Sequence, residues 1–220
     1  MTKNETPLLI FMHIQKTAGS TLRSILNKEF GKENTWFGRT LDELPKDRID
    51  ELKCVGGHFE YGIHENFTRP YTYLTMLREP VDRVLSYYYF LKNNPARSKY
   101  DEVINMDLDM FLQNYKKQTS NYQTKRIAGG EINLEKAKQN LISDFSFIGL
   151  TERFDESLEL MKKVYGLPNF KYKKSRNITQ NRPSKQETPK SVIKMIEEHN
   201  ELDIKLYQFV SKLFEQRLSQ

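Results

Sequence analysis

The chain has 220 residues, enough for one domain with a sizeable core, and residues 1–220 are read as a single unit. Charged residues make up 29% and hydrophobic residues 37%, and the formal net charge is +6. Such a chain reads as polar, soluble and suited to anionic ligands, although charge alone does not separate nucleotide, acidic polysaccharide and nucleic acid. A single cysteine, Cys54, excludes an intrachain disulfide and any cysteine-based metal cluster, and no apolar run reaches the length of a membrane span.

Residues 8–14, LLIFMHI, form the first expected strand, a short bounded apolar run of the kind a buried parallel strand requires. Gln15 to Gly19 make a polar turn. A helical pattern follows with Leu22, Ile25, Leu26 and Phe30 on one face. Strand, short glycine-containing turn and helix start together gather backbone N–H groups and a positive helix end around an anion. Lys16 adds a point charge, and Thr17, Ser20 and Thr21 add hydroxyl donors.

Trp36, the only tryptophan, lies in the stretch 34–39, and two short helical segments follow at 41–44 and 47–52. Residues 53–59, KCVGGHF, read as a second strand ending in glycines, which permit close approach of another backbone or a ligand. Residues 61–67 read as a loop. Residues 71–77, YTYLTML, are strongly β-prone and read as a third, central strand. Pro80 suits the first turn of a helix on which Val81, Val84, Leu85, Tyr88 and Leu91 recur. Residues 93–100 read as a polar linker. Helices are expected at 108–115, capped by Asp107, at 119–128, closed by Gly129-Gly130, and at 134–142. A fourth strand at 145–150 and a helix at 154–165 precede a long basic loop, residues 166–188. One long or two short helices end the chain over 189–217. Strands alternating with helices imply an α/β fold, three layers with a central parallel sheet and helices on both faces. A phosphate loop after the first strand places the site at the carboxyl ends of the strands.

The order Lys16-Thr17-Ala18-Gly19-Ser20-Thr21 differs from the G-x-x-x-x-G-K-[ST] of nucleoside-triphosphatases, in which lysine directly precedes the hydroxyl residue. Residues 13–21, HIQKTAGST, instead resemble the 5′-phosphosulfate loop of sulfotransferases that use 3′-phosphoadenosine 5′-phosphosulfate. The resemblance is to the branch of heparan sulfate 2-O- and 6-O-sulfotransferases and their small bacterial relatives, with Gln15 standing where proline is frequent. Residues 75–89, TMLREPVDRVLSYYY, resemble the same family's 3′-phosphate motif, L-R-[DE]-P-x-x-R-x-x-S, through Arg78, Glu79, Pro80, Arg83 and Ser86. Arginine suits phosphate because its planar fork donates two parallel bonds. Two later stretches extend the likeness: Asn121 to Arg126, an N-x-Q-[TS]-[RK] segment, and Ile148 to Ser157.

The resemblance implies a P-loop nucleotide-hydrolase-like fold and sulfuryl transfer to a hydroxyl-bearing acceptor, a saccharide, with no metal and no nucleic-acid partner. The donor would be held by Gln15, Lys16, Thr17, Ala18, Gly19, Ser20 and Thr21 at its 5′ end and by Arg78 and Ser86 at its 3′-phosphate, with Lys173, Lys174 and Arg176 of the basic loop closing over it. Lys16 would also neutralise charge on the leaving oxygen, and the product would be adenosine 3′,5′-bisphosphate. The base would be a histidine, which titrates near neutrality. Both His58 and His64 fall past the second strand, His58 in a G-H-[VF] context and His64 in a G-L-H-like one, and both stay open as candidates; His13 and His199 read as structural. Trp36, Tyr61 and Phe67 are candidates either for an acceptor cleft or for core. A nucleotide kinase is the competing enzyme reading, and a non-catalytic binder of anionic glycan or nucleic acid is a third. Animal members of the branch carry an N-terminal membrane anchor. Without one or a signal-peptide pattern, the expectation is a cytoplasmic, bacterial-type enzyme or a chain whose anchor was removed. Oligomeric state is not legible.

Overall fold

A computed structural model describes residues 6–38, 40–45, 47–167, 183 and 185–219. Its centre is a five-stranded sheet built from β1 (Leu8–Met12), β2 (Thr35–Gly38), β3 (Cys54–Gly57), β4 (Tyr71–Leu77) and β5 (Phe145–Leu150), in the order β2-β3-β1-β4-β5. Every pairing is parallel. All five residues of β1 are buried, which is why its sequence is a continuous apolar run and not an alternating one. The helices are α1 (Gly19–Phe30), α2 (Pro80–Lys92), α3 (Tyr100–Val103), α4 (Leu108–Asn114), α5 (Lys116–Thr119), α6 (Tyr122–Ile127), α7 (Leu134–Ser143), α8 (Phe154–Tyr165), α9 (Lys190–His199) and α10 (Glu201–Leu218). They cover both faces of the sheet in the expected three-layer arrangement.

The register explains one conspicuous glycine. Phe11, Gly56 and Phe37 are neighbours across β1, β3 and β2, and a Cβ on Gly56 would sit 2.9 Å from both Phe11 Cβ and a Phe37 ring carbon. Leaving it out lets the two phenylalanine rings meet edge-on at 6.3 Å. The topology also locates the site. After β1 the chain departs towards β3 and β2, and after β4 it departs towards β5, so the sheet changes direction between β1 and β4. Loops leaving adjacent strands in opposite directions open a crevice at the carboxyl ends.

The structure departs from the expected elements in four places. Residues 35–38 form β2, an edge strand of four half-buried residues too short to show a period, whose Trp36 stacks on Phe59 at 5.8 Å. Part of the expected polar linker begins α3. The helix expected at 119–128 is shortened to α6: Thr119 ends α5, and the left-handed Asn121, φ 43°, breaks the chain between the two. Residues 47–52, expected as a short helix, form turns instead. The last helical stretch takes the two-helix alternative, divided at Asn200. Tyr61 and Phe67 pack against the core, as does Trp36. The basic stretch carrying Lys173, Lys174 and Arg176 lies outside the described residues. No helix among the described residues is long and apolar enough to cross a membrane.

Candidate active site

The loop after β1 takes an unusual path. Lys16 (φ 70°) and Ala18 (φ 61°) are both left-handed without being glycine, a conformation that costs energy and clusters at functional sites. Successive N–H groups around left-handed residues form a concavity suited to an anion. No side chain caps α1 and its first turn holds no acid, so the positive end of the helix stands behind the loop. The Thr21 and Leu22 amides turn back onto the Ala18 carbonyl at 3.1 and 3.3 Å. The Thr17 hydroxyl is engaged internally, donating to the Ile14 carbonyl at 2.8 Å, so what Thr17 offers a ligand is its amide. Thr21 is 8% exposed, while Ser20 is exposed. The Lys16 ammonium lies 3.7 Å from the centroid of the Phe90 ring on α2.

Gly19 is required by the ring packed on it. A Cβ there would come within 1.8 Å of His13 Cδ2 and 1.9 Å of its Nε2. The His13 ring is stacked on Phe11 at 5.3 Å and lies 4.3 Å from the His58 ring. Burial above all, then the neighbouring His58, Arg23 and Lys16, pulls His13 down to about 3, so it is neutral at physiological pH.

His58 follows the carboxyl end of β3 and sits beside the loop. Its Nδ1 is 2.8 Å from the His13 carbonyl, which only accepts, so Nδ1 carries the proton and Nε2 is left with its lone pair when the ring is neutral. Burial is the main influence holding its pKa below the ordinary histidine value, against the opposing bond to the His13 carbonyl and with help from Arg126 and Arg23. The His58 carbonyl accepts from the Arg126 guanidinium, which also pairs with Glu60 at 3.2 Å.

His64 is elsewhere. Its Nδ1 is 2.9 Å from the Tyr73 hydroxyl and its ring stacks on Tyr71 at 4.3 Å, and both tyrosines lie in the opening half of β4. Parallel strands force the chain back to the amino edge of the sheet before β4 begins, and His64 falls on that return. The structure therefore brings His58 to the loop after β1 and does not bring His64.

Arg78 leaves β4 at its carboxyl end. Its Nη1 donates to the Lys16 carbonyl at 3.1 Å, which ties the two loops of the crevice together, and its Nε donates to Asp82 at 2.7 Å. Glu79 caps α2 by accepting from the Asp82 amide at 2.7 Å, with Pro80 at the first helical position. Ser86 is buried two turns into α2. Beside the loop is a cavity of about 360 Å³ lined by Gln15, Glu60, Tyr87, Gln118 and Tyr122 with the cations Lys99, Lys117, Lys125 and Arg126. The sequence did not single out these cations as a group: Lys125 and Arg126 lie in the N-x-Q segment on α6, but Lys99 and Lys117 come from other parts of the chain.

The fold and site define an α/β protein with a left-handed, helix-capped loop after its first strand and a histidine beside it. A model described as the sulfotransferase family matches residues 1–210, and the chain belongs to that family. It is 25% identical to human heparan-sulfate 6-O-sulfotransferase 3 over 275 residues, covering 96% of this chain and 58% of the relative. It is 24% identical to zebrafish heparan-sulfate 6-O-sulfotransferase 1-B over 283 residues, covering 96% of this chain and 66% of the relative. The chain thus spans less than two thirds of these relatives. Among solved structures, mouse sulfotransferase SULT7A1 complexed with PAP is similar at a TM-score of 0.42 and 10% identity, over 88% of this chain and 63% of that one.

Proposed function

We propose that the chain transfers a sulfuryl group from 3′-phosphoadenosine 5′-phosphosulfate to a hydroxyl of a saccharide acceptor, with His58 as the base. The observation that carries this reading is the lock between His58 and the phosphate loop: Nδ1 is committed to the His13 carbonyl, and the His13 ring is seated on Gly19. A neutral ring with Nε2 unprotonated is the form a general base needs at neutral pH. The co-substrate would supply the sulfuryl group and a bisphosphate leaving group. The loop fits its 5′-phosphate: Lys16 offers charge, the amides of residues 17–20 would offer donors, Gln15 and Ala18 shape the turn, and Ser20 and Thr21 add hydroxyls, the Thr21 amide being engaged by the Ala18 carbonyl at 3.1 Å. Arg78 and Ser86 would take the 3′-phosphate, and Lys173, Lys174 and Arg176 are assigned to the same end of the donor from their sequence position alone. As the acceptor oxygen bonds to sulfur, the bond from sulfur to the 5′-phosphate oxygen breaks and the acceptor proton passes to Nε2 of His58. Lys16 would offset the charge left on the departing oxygen.

The cavity beside Gln15 fits the acceptor. Its four cations suit a saccharide carrying carboxylate or sulfate groups. Transfer to an oligosaccharide of that kind, with an uncharged one as control, tests the proposal. His58→Ala should lower turnover by about 10²–10⁴-fold, the usual share of a general base, with adenosine 3′,5′-bisphosphate still bound. His64→Ala should keep its turnover. Turnover surviving in His58→Ala and lost in His64→Ala would overturn the assignment.

A further inference from the structure

The N-x-Q segment at 121–123 has its side chains placed with unusual economy. Gln123 is 1% exposed and uses both ends of its amide on one residue. Its Oε1 accepts the Arg78 N–H at 3.0 Å and its Nε2 donates to the Arg78 carbonyl at 2.8 Å. Arg78 is the first residue past the end of β4, where the strand's own ladder stops. Gln123 thus acts as one more pair of strand bonds, fixing the peptide from which the Arg78 side chain reaches the Lys16 carbonyl.

Gln123 is itself held from behind. A six-residue helix such as α6 is too short to be stable alone. Asp203 of α10 accepts the amides of Gln123 at 3.0 Å and Thr124 at 2.7 Å, capping α6. In return, Asn121 accepts the amides of Leu202 at 2.9 Å and Asp203 at 3.1 Å, capping α10, while its own N–H donates to Asn200 Oδ1 at 3.0 Å. Each helix start is satisfied by a side chain from the other. The left-handed Asn121 that breaks the expected helix is what allows this exchange.

We infer that Gln123 is a positioning residue that sets Arg78 for the 3′-phosphate, and that the reciprocal caps between α6 and α10 hold Gln123 in register. The inference rests on the donor-site reading of Arg78. Titration calorimetry of the full chain with adenosine 3′,5′-bisphosphate and with adenosine 5′-monophosphate separates this role from general stability, because only the first ligand carries the 3′-phosphate. Gln123→Met, close in volume and unable to make either bond, should raise the bisphosphate Kd about tenfold, or about 1.4 kcal/mol, with the monophosphate Kd little changed. Asn121→Gly keeps the left-handed backbone and removes the cap; it should shift the same ratio in the same direction by less. Equal weakening of both ligands in the folded variants, or an unchanged ratio, would overturn the inference. If Gln123→Met does not fold, the ratio in Asn121→Gly decides. A wild type that binds both ligands alike would instead overturn the donor-site reading, and the inference with it.

Discussion

At the scale of single residues, the site depends on two contacts that a substitution can address. Gly19→Ala forces a Cβ against the His13 ring, which Phe11 and His58 hold from other sides. Overpacking of this kind costs about 1–3 kcal/mol. Thermal unfolding should show a lower Tm and weaker bisphosphate binding together, and the double variant Gly19→Ala/His13→Ala should be more stable than the sum of the single effects, as neighbours that clash are not additive. Gly19→Ala alone with unchanged Tm would contradict the packing. The second contact sets the pH dependence. A base is active when unprotonated, so activity is lost as pH falls through its pKa, and burial holds the His58 value below the ordinary 6.5. The acid limb of kcat/KM should have its midpoint under 6.5 and disappear from the residual activity of His58→Ala; a midpoint above 6.5 would contradict the environment described here.

At the scale of elements, α2, α6 and α10 share a buried charge arrangement. Arg83, 1% exposed, donates to the Gln118 carbonyl at 2.8 Å and lies over the Tyr122 ring at 4.8 Å. Asp203 is fully buried, and burial raises its pKa while the Arg83 charge and the two α6 amides oppose that rise. Asp203→Ala removes the counter-charge and leaves two amides without an acceptor, which should cost about 3–5 kcal/mol in urea unfolding. A loss below about 1 kcal/mol, the scale of a single ordinary hydrogen bond, would mean that α6 does not depend on the cap. This is also the scale at which the sequence was least legible. Long periodic elements such as α2 and α8, and buried runs such as β1 and β4, declare themselves by spacing. The break at Asn121 does not, because its reason is a partner 81 residues away in Leu202. Edge strand β2 is hidden by its length. The two motifs at 13–21 and 75–89 were legible as strand-to-helix turns because each follows a strand directly. Which of His58 and His64 lies beside the loop after β1 was not, since it turns on where the chain recrosses the sheet.

At the scale of the molecule, strand order decides the rest. Because β1 and β4 are adjacent and their connections leave in opposite directions, the loop at Lys16 and the strand end at Arg78 meet, and the 3.1 Å bond between them closes one side of the crevice. His58 enters from β3 on the other flank of β1, so the fold places His58, Lys16 and Arg78 along one edge, the arrangement the proposed mechanism requires. The cations of the neighbouring cavity continue that edge and concentrate part of the net charge of +6 where an anionic acceptor would lie.

The most direct test of the donor site is thermal unfolding of the chain with adenosine 3′,5′-bisphosphate, with ADP and with ATP–Mg²⁺, each at the same concentration. A ligand at about a hundredfold over its Kd stabilises by about 2.7 kcal/mol. In a chain of this size that is a shift of several degrees. A shift with the bisphosphate, absent with the other two and lost in Arg78→Ala, is the result expected of a donor site that selects the 3′-phosphate. A shift with ATP–Mg²⁺ alone would contradict it and turn the same crevice into that of a phosphotransferase.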